Sequence, residues 1–201
     1  FSVTDPNANA MAAALQRGGV GLMPTDTVYG LVCHPDHATG KPRIFELKQR
    51  PTALNLQVLL PEGLPPAAIG AVVIPAAEAL LRRRELAAGI TFILALDPVA
   101  KPGWLADREE VGVRVPGDPR AQAVLAQTGP LFATSANAHG KPPGATVAAI
   151  LADLAGAPDA IWDAGRLGGT ASTVVNFNTS PPTVLRWGVI CDLTEFGLGH
   201  G

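Results

Sequence analysis

Cysteine, aromatic side chains and charge are all scarce in this chain of 201 residues. The two cysteines, Cys33 and Cys191, are too few for the disulfide framework of a small secreted domain, so reduced thiols and a cytoplasmic protein are expected. Charged residues make up 16% of the chain and the formal net charge is −2. A general nucleic-acid binder concentrates basic residues, whereas the densest basic run here is only Arg82–Arg84. The composition therefore argues against that class.

Long apolar runs are also missing. No stretch reaches the roughly 18 consecutive apolar residues that a membrane span needs. Residues 1–20 lack a basic start followed by an apolar core. We therefore expect neither a membrane partner nor a signal peptide.

Several common catalytic signatures are absent. There is no GxxxxGK[ST] motif, no GxGxxG after a strand and no GxSxG around Ser135, which argues against P-loop, Rossmann and α/β-hydrolase chemistry. Cys33, His34 and His37 offer part of a metal site, but no second cluster completes four ligands. A surface loop is the alternative there, and we predict no metal held by protein side chains.

The residues that are present favour an α/β fold. Hydrophobic residues make up 47% of the chain, and 22 glycines and 19 prolines divide it into short elements. Strand-like and helix-like segments alternate early, and strands cluster at the end, which predicts a single-domain twisted mixed sheet with flanking helices over 8–192 and a loose tail over 193–201. Helices are predicted from Pro6 to Gly18 and over 41–49, 65–74, 75–86, 119–127 and 146–154. Strands are predicted over 20–23, 56–60, 91–96, 111–115, 131–134, 160–162, 172–177 and 183–186.

The segment 24–31, Pro-Thr-Asp-Thr-Val-Tyr-Gly-Leu, is the most informative motif. It places two hydroxyls and a carboxylate after an apolar run, and Lys48 and Arg50 follow at the end of a predicted helix. Hydroxyls that hold a small polar substrate beside cations that hold phosphate would suit a site that activates a substrate with a nucleotide. The alternative is a turn bounded by Pro24 and Gly30, followed by a surface helix.

Two later segments could complete such a site. Ser135 and Asn137 follow an apolar strand and precede Gly140, so small polar groups and an approachable backbone could bind phosphate or ribose; an ordinary turn is the alternative. Ser172 begins another strand and Arg186 lies about one hairpin later. That pair could hold an anion, or it could be a glycine turn and a solvated arginine.

Arg114 alternates with valines in a predicted strand. An arginine in that position must reach a carboxylate, a phosphate or water, because burying an unpaired charge is costly. We therefore expect one of these three partners at Arg114.

Together these motifs resemble the YrdC-like family of L-threonylcarbamoyladenylate synthases, the TsaC type. The resemblance runs in the same order from about residue 8 to residue 192. It rests on several separate motifs at compatible spacing. The matching segments are 24–31, Lys48-Gln49-Arg50-Pro51, Val113-Arg114-Val115-Pro116, Ser135-Ala136-Asn137 with Gly140, Ser172-Thr173 and Leu185-Arg186-Trp187-Gly188.

The resemblance implies a twisted α/β fold with a concave, positively charged face. It implies that L-threonine, bicarbonate and ATP, with Mg²⁺, give threonylcarbamoyl-AMP and pyrophosphate. That product serves the threonylcarbamoyladenosine modification at tRNA position 37, so tRNA or double-stranded RNA contact and partner proteins of the transfer step are further expectations.

The resemblance also assigns residues. Those expected to contact threonine are Thr27, Arg114, Ser172 and the backbone of Ala133. Those expected to contact ATP are Lys48, Arg50, Ser135, Asn137 and Arg186, with Lys48 and Arg50 as the catalytic cations.

Four positions depart from the family pattern, namely Leu54, Leu59, Glu110 and Pro143, where polar or hydroxyl residues are usual. They leave open a paralogue that binds nucleotide or RNA without synthesis. A third interpretation is a carbamoyltransferase-related module with a different acceptor.

Overall fold

The structure, a computed structural model, describes residues 5–49, 51 and 55–198. Within these ranges, six α-helices flank one sheet of nine strands. The helices are α1 (Pro6–Gln16), α2 (Gly40–Lys48), α3 (Pro75–Leu81), α4 (Arg84–Ala88), α5 (Pro119–Thr128) and α6 (Val147–Asp153). The strands are β1 (Val20–Met23), β2 (Gly30–Cys33), β3 (Gln57–Leu59), β4 (Ile90–Ala95), β5 (Glu110–Arg114), β6 (Leu131–Ser135), β7 (Ala160–Ile161), β8 (Thr173–Asn176) and β9 (Thr183–Arg186).

The strands are ordered β7-β1-β2-β6-β3-β5-β4-β8-β9 across the sheet. The pairs β1–β7, β3–β5 and β4–β8 are parallel and the remaining neighbours are antiparallel. This arrangement confirms the predicted α/β class with a mixed sheet and flanking helices. No helix in the described ranges is long and apolar enough to span a bilayer.

Helices α1 and α5 begin at side-chain caps. Asp5 accepts hydrogen bonds from the backbone N–H groups of Asn7 and Ala8, and Pro6 follows at the first helical position of α1. Asp118 caps α5 in the same way, again with proline next. A capping carboxylate satisfies N–H groups that the helix leaves unpaired, which explains why both helices begin where the sequence predicted.

Side chains alternate between the two faces of the sheet. One face packs in the larger core, which includes Leu22, Val58, Phe92 and Val113 and receives side chains from α2, α3 and α6. The opposite face has two halves. Its covered half, defined by Met23, Val32, Leu59 and Leu131, packs against α1 and α5. Its open half, defined by Gln57, Thr91, Gly112, Arg114 and Ser135, lines a cavity.

One strand was missed from sequence. The sequence interpretation placed a loop over 24–31 and a surface loop at Cys33, but Gly30–Cys33 forms β2, which pairs with both β1 and β6. All four residues of β2 are buried. A strand buried on both faces has no polar–apolar alternation, so the usual signal is missing.

Two predicted helices were wrong. Within the predicted 65–74 helix, only Pro66–Ile69 is helical, as a single 3-10 turn that Gly70 ends with a φ of 76°. The predicted 75–86 helix is divided into α3 and α4, because Arg83 adopts a non-helical backbone conformation.

The described part of the predicted tail, residues 193–198, packs against the domain. Leu193 and Leu198 are 0% and 5% exposed and join the larger core. The backbone between them forms a short 3-10 helix, Thr194–Phe196, closed by a bridge from Leu193 to Leu198.

Candidate active site

The open half of the sheet forms a cavity of about 400 Å³. Six of the residues predicted from sequence line it together, although they come from five separate segments of the chain. They are Thr27, Arg114, Ala133, Ser135, Ser172 and Arg186. Asn55, Gln57, Thr91, Glu110, Gly112 and Thr134 also belong to the wall.

Strand register explains this convergence. Gln57 of β3 lies opposite Ala133 of β6, and Gly112 of β5 lies opposite Ile93 of β4. Because side chains on one face recur at every second residue, Arg114 emerges on the same face as Gly112. Gly112 presents no side chain, and a Cβ there would lie 3.3–3.5 Å from atoms of Ile93, Thr91 and Gln57.

Arg114 is buried to 3% exposure and is held from two sides. Its Nε donates to the carbonyl of Ala88 at 2.8 Å, and its Nη2 donates to Asp26 Oδ1 at 2.8 Å. Burial lowers the pKa of the Arg114 guanidinium, while the Asp26 carboxylate opposes that effect. The pair keeps the cation in one orientation and leaves the Nη1 end of the fork for a further anion.

The hydroxyl of Thr27 is positioned by a compact turn. Thr25 Oγ1 donates to the carbonyl of Val28 at 2.6 Å and accepts from the backbone N–H groups of Thr27 and Val28. The two threonine hydroxyls lie 3.1 Å apart. The hydroxyl of Thr25 therefore closes the turn that positions Thr27.

Tyr29, in the same motif, is 1% exposed and reaches a different loop. Its hydroxyl donates to the carbonyl of Gly165 at 2.7 Å and accepts from the N–H of Ala164 at 2.9 Å. Desolvation raises the pKa of Tyr29, so the phenol remains neutral. Tyr29 therefore joins the first motif to the 163–165 loop and stands outside the cavity wall.

Ser172 and Arg186 are in contact at the other side of the cavity. Arg186 Nη2 donates to the carbonyl of Ser172 at 2.8 Å, and a longer contact of 3.5 Å reaches Ser172 Oγ. Partial desolvation lowers the pKa of Arg186, and Arg186 lies near enough to lower the pKa of Arg114 in turn. Two guanidinium groups therefore place positive charge in the cavity wall, which also contains the Glu110 carboxylate.

Lys48 lies beneath the 135–137 loop instead of in the cavity wall. It is 2% exposed, and its Nζ donates to the carbonyls of Ser135 and Asn137, each at 2.5 Å. Asn137 also faces inward, since its Nδ2 donates to the carbonyls of Ala138 and Lys141. Both side chains therefore shape the loop that carries Ser135, and their contact with ATP stays a prediction.

The remaining positions named from sequence are distributed as follows. Arg50 and Leu54 lie outside the described residues. Leu59 is 1% exposed within the covered half, so it is core. Glu110 reaches the cavity wall, where its Oε2 accepts from Asn178 Nδ2 at 2.9 Å. Pro143 lies in an irregular segment, half-buried.

Sequence reasoning missed Asp26 as the partner of Arg114, and it missed Gln57 and Thr91 in the wall. A signal for Thr91 was available, because a hydroxyl inside an apolar strand must find a hydrogen-bond partner when buried. Gly112, between two valines of a strand, was a similar signal for close approach of another group.

The Cys33 side chain is 0% exposed, and burial raises its pKa to about 12. A neutral thiol is a poor metal ligand. No group of three or more His, Cys, Asp or Glu side chains comes together in the part of the chain that the structure describes.

Comparison with known proteins gives a consistent result. Residues 13–188 match the profile of the Sua5/YciO/YrdC family, which is described as "Telomere recombination". A Bacillus subtilis protein named threonylcarbamoyl-AMP synthase is 34% identical over 195 residues, which are 94% of this chain and 56% of that protein. A Xanthomonas campestris protein of the same name is 33% identical over 174 residues, which are 83% of this chain and 89% of that protein. The chain thus spans just over half of the Bacillus relative.

Two solved structures share the fold at 28% identity. Pyrococcus abyssi Sua5 in complex with L-threonine has a TM-score of 0.78 and aligns with 90% of this chain, which spans 54% of that protein. Escherichia coli YciO also has a TM-score of 0.78, over 90% of this chain and 89% of its own.

Proposed function

This chain belongs to the Sua5/YciO/YrdC family, and we propose that it is a threonylcarbamoyl-AMP synthase. In this reaction the amine of L-threonine takes up bicarbonate to form a carbamate and water. A carbamate oxygen then attacks the α-phosphorus of ATP, and pyrophosphate leaves. The product would supply the threonylcarbamoyl group for position 37 of tRNA, through partner proteins of the transfer step.

The observation that carries the proposal is the shared cavity. Three separate hydroxyls and two guanidinium groups, from segments far apart in sequence, converge on about 400 Å³ of space. Sites for small substrates are typically concave, with a few polar groups that fix orientation. A relative at 28% identity was solved in complex with L-threonine, which supports the same choice of ligand here.

Arg114 suits the threonine carboxylate. Its Nε and one Nη2 hydrogen are engaged by Ala88 and Asp26, so a carboxylate would bind end-on across Nη1 and the second Nη2 hydrogen. A fixed fork removes rotational freedom from the substrate and directs its amine into the cavity. That positioning, in place of a side-chain nucleophile, would be the main contribution to catalysis.

The nucleotide would lie toward Ser135 and Arg186. Backbone groups at the end of β6 and the Arg186 guanidinium can stabilise negative charge on the phosphates and on the leaving pyrophosphate. Lys48 contributes by fixing the loop that contains Ser135 and Asn137.

Mg²⁺ would enter with ATP. Glu110 is the one carboxylate among the described residues of the wall, so the protein offers no cage for a divalent cation. This donor set fits Mg²⁺, which usually takes its ligands from phosphates and water with few protein groups. When bound, the ion supplies charge neutralisation at the phosphates.

The direct test is an incubation with labelled bicarbonate, L-threonine, ATP and Mg²⁺. We expect pyrophosphate release that depends on threonine, together with label in a threonylcarbamoyl-AMP product. Omission of threonine is the internal control. Pyrophosphate release that is absent, or indifferent to threonine, would contradict the proposal.

One observation favours a second candidate, a family member that binds nucleotide without synthesis. The carboxylate of Glu110 lies in the wall of the cavity, where it would repel the phosphates of ATP. Leu59 is buried at a position where the family pattern is polar. ATP binding by calorimetry without product formation would support this candidate. Product formation with an amine other than threonine would instead favour the carbamoyltransferase-related interpretation.

RNA binding has less support. The densest basic run, Arg82–Arg84, is matched by carboxylates, because its members pair with Glu78, Glu195 and Glu62 respectively. Binding through basic contacts would weaken steeply as salt rises, so a flat salt response in a filter-binding assay would exclude it.

A further inference from the structure

A line of uncharged polar side chains crosses the wall of the cavity beside Arg186. Thr91 Oγ1 donates to Gln57 Oε1 at 2.9 Å, and Ser172 Oγ lies 2.8 Å from Thr91 Oγ1. Thr91 and Ser172 are only 4% and 6% exposed. Gln57 and Thr91 lie in β3 and β4, and Ser172 directly precedes β8, so the sheet holds all three in place.

The direction of each hydrogen bond follows from chemistry. A carbonyl oxygen such as Gln57 Oε1 can only accept a hydrogen bond. Thr91 must therefore donate its single hydroxyl proton to Gln57. Thr91 Oγ1 then has only lone pairs to offer, and Ser172 must donate its own proton to Thr91. The acceptor at Gln57 therefore fixes the direction of both hydrogen bonds, from Ser172 to Thr91 and from Thr91 to Gln57.

Arg186 is compatible with the same direction, because a donor to Ser172 Oγ uses a lone pair of the serine and not its proton. Its guanidinium can only donate, and its Nη2 approaches both the carbonyl and, at 3.5 Å, the Oγ of Ser172. Because Ser172 donates its proton to Thr91, it has no proton left for a ligand. It presents lone pairs to the cavity and accepts a hydrogen bond from whatever lies there.

We infer that Gln57 and Thr91 are positioning residues that make Ser172 an obligate acceptor for the β-hydroxyl of the amino acid substrate, and so exclude valine. The inference rests on the proposed function and adds a source of substrate selectivity to it. Without a donor from the ligand, the buried lone pair of Ser172 would lose its water and gain no partner. Sites built around a substrate hydroxyl reject the isostere that lacks it for this reason.

The β-hydroxyl suits this acceptor better than the amine does. The nitrogen changes from an ammonium to a planar carbamate during the reaction, so its N–H directions change. The β-hydroxyl is unaltered throughout. A rigid, buried acceptor is matched to the group that keeps its geometry.

The test compares threonine with valine in the 201-residue chain. Calorimetry measures the Kd of each amino acid, and pyrophosphate release measures kcat/KM for each. The variant Thr91→Val keeps the shape and removes the hydroxyl, and Gln57→Leu removes the acceptor that sets the direction. We expect each to lower the threonine-to-valine ratio about tenfold, the worth of one neutral hydrogen bond.

Two further variants control the result. Thr91→Ser retains the hydroxyl and should keep the ratio within about twofold of the original. Thr128→Val makes the same chemical change at the end of α5, where the hydroxyl bonds only the backbone, and should leave the ratio unaltered. If Thr91→Val fails to fold, Gln57→Leu decides the question, because Gln57 is only half-buried.

The outcomes separate the two claims. Equal losses for threonine and valine in Thr91→Val or Gln57→Leu would overturn the inference, since Ser172 would then face the amine or no substrate group. Wild-type protein that binds threonine but forms no product would contradict the synthase proposal and leave the selectivity measurable by binding alone. Wild-type protein that binds neither amino acid would overturn both.

Discussion

The two halves of one sheet face differ in composition although they share strands. On β3, Leu59 belongs to the covered half and Gln57 to the open half. On β6, Leu131 is core and Ser135 lines the cavity, with Ala133 at the boundary between them. Helices α1 and α5 lie over the first half, and the cavity lies over the second.

This difference teaches that one strand can have two functions along its length. On one face of β3, the apolar Leu59 lies two positions from the polar Gln57. The covered half can therefore pack against helices while the open half carries polar and charged groups. Buried charge is tolerated there because it is paired, as Arg114 is with Asp26 at 2.8 Å. Substitutions in the two halves should therefore damage different properties.

The largest expected effect is on the open half. Arg114→Gln should lower kcat/KM for threonine on the order of 100-fold, because truncating a buried, hydrogen-bonded cation costs about 3 kcal/mol. Steady-state pyrophosphate release measures it. Arg120→Gln is the matched control, since Arg120 pairs with Asp118 outside the cavity. Comparable losses in both variants would contradict the assignment of the threonine carboxylate to Arg114.

A substitution in the covered half should lower stability and leave substrate binding nearly unchanged. Leu125→Ala removes a fully buried side chain of α5 and should reduce the free energy of unfolding by about 2–5 kcal/mol. Urea unfolding measures the loss. The KM values for threonine and ATP should stay within about twofold at a temperature where the variant is folded. A changed KM without lost stability would mean that the two halves are not independent.

A substitution of Lys48 tests how far ATP binding depends on the loop that Lys48 holds. Lys48→Met keeps the length of the side chain and removes two charge-assisted hydrogen bonds to the Ser135 and Asn137 carbonyls. The KM for ATP should rise about tenfold, since such bonds are worth about 1.5–3 kcal/mol each and only part of that loss should reach ATP. Threonine binding should change little. Lys141→Met, which loses an exposed pair with Asp153, is the control.

The smallest effect is expected at the rim. Glu110→Gln removes a negative charge from the wall, and the KM for ATP should fall about two- to fivefold because an exposed charge is screened. The gain should shrink as salt is raised. Glu109→Gln is the neighbouring control, because Glu109 precedes β5 and is not among the residues that line the cavity. An increase in KM would mean that Glu110 helps ATP to bind.

Much of this site could be predicted from sequence, because motif residues at strand ends report local chemistry. Thr27, Arg114, Ser135, Ser172 and Arg186 each stood beside an apolar run, and the cavity contains all five. What sequence could not supply was pairing across the sheet. The Asp26 partner of Arg114 is 88 residues away.

The hydrogen-bond partners of Lys48 also could not be predicted from sequence. A cation at a helix end near a polar motif predicted phosphate contact, which stays a prediction. The contact of its ammonium with two carbonyls of a distant loop was not predicted. The orientation depends on how α2 packs against the end of β6. Likewise, β2 gave no alternation because the sheet buries both of its faces.

The most direct test is a crystal structure of the protein with L-threonine and a non-hydrolysable ATP analogue. The threonine carboxylate should lie end-on against Arg114, with its amine inside the cavity and the phosphates between Ser135 and Arg186. Threonine or nucleotide bound on any other surface, with the open half empty at saturating ligand, would contradict the account.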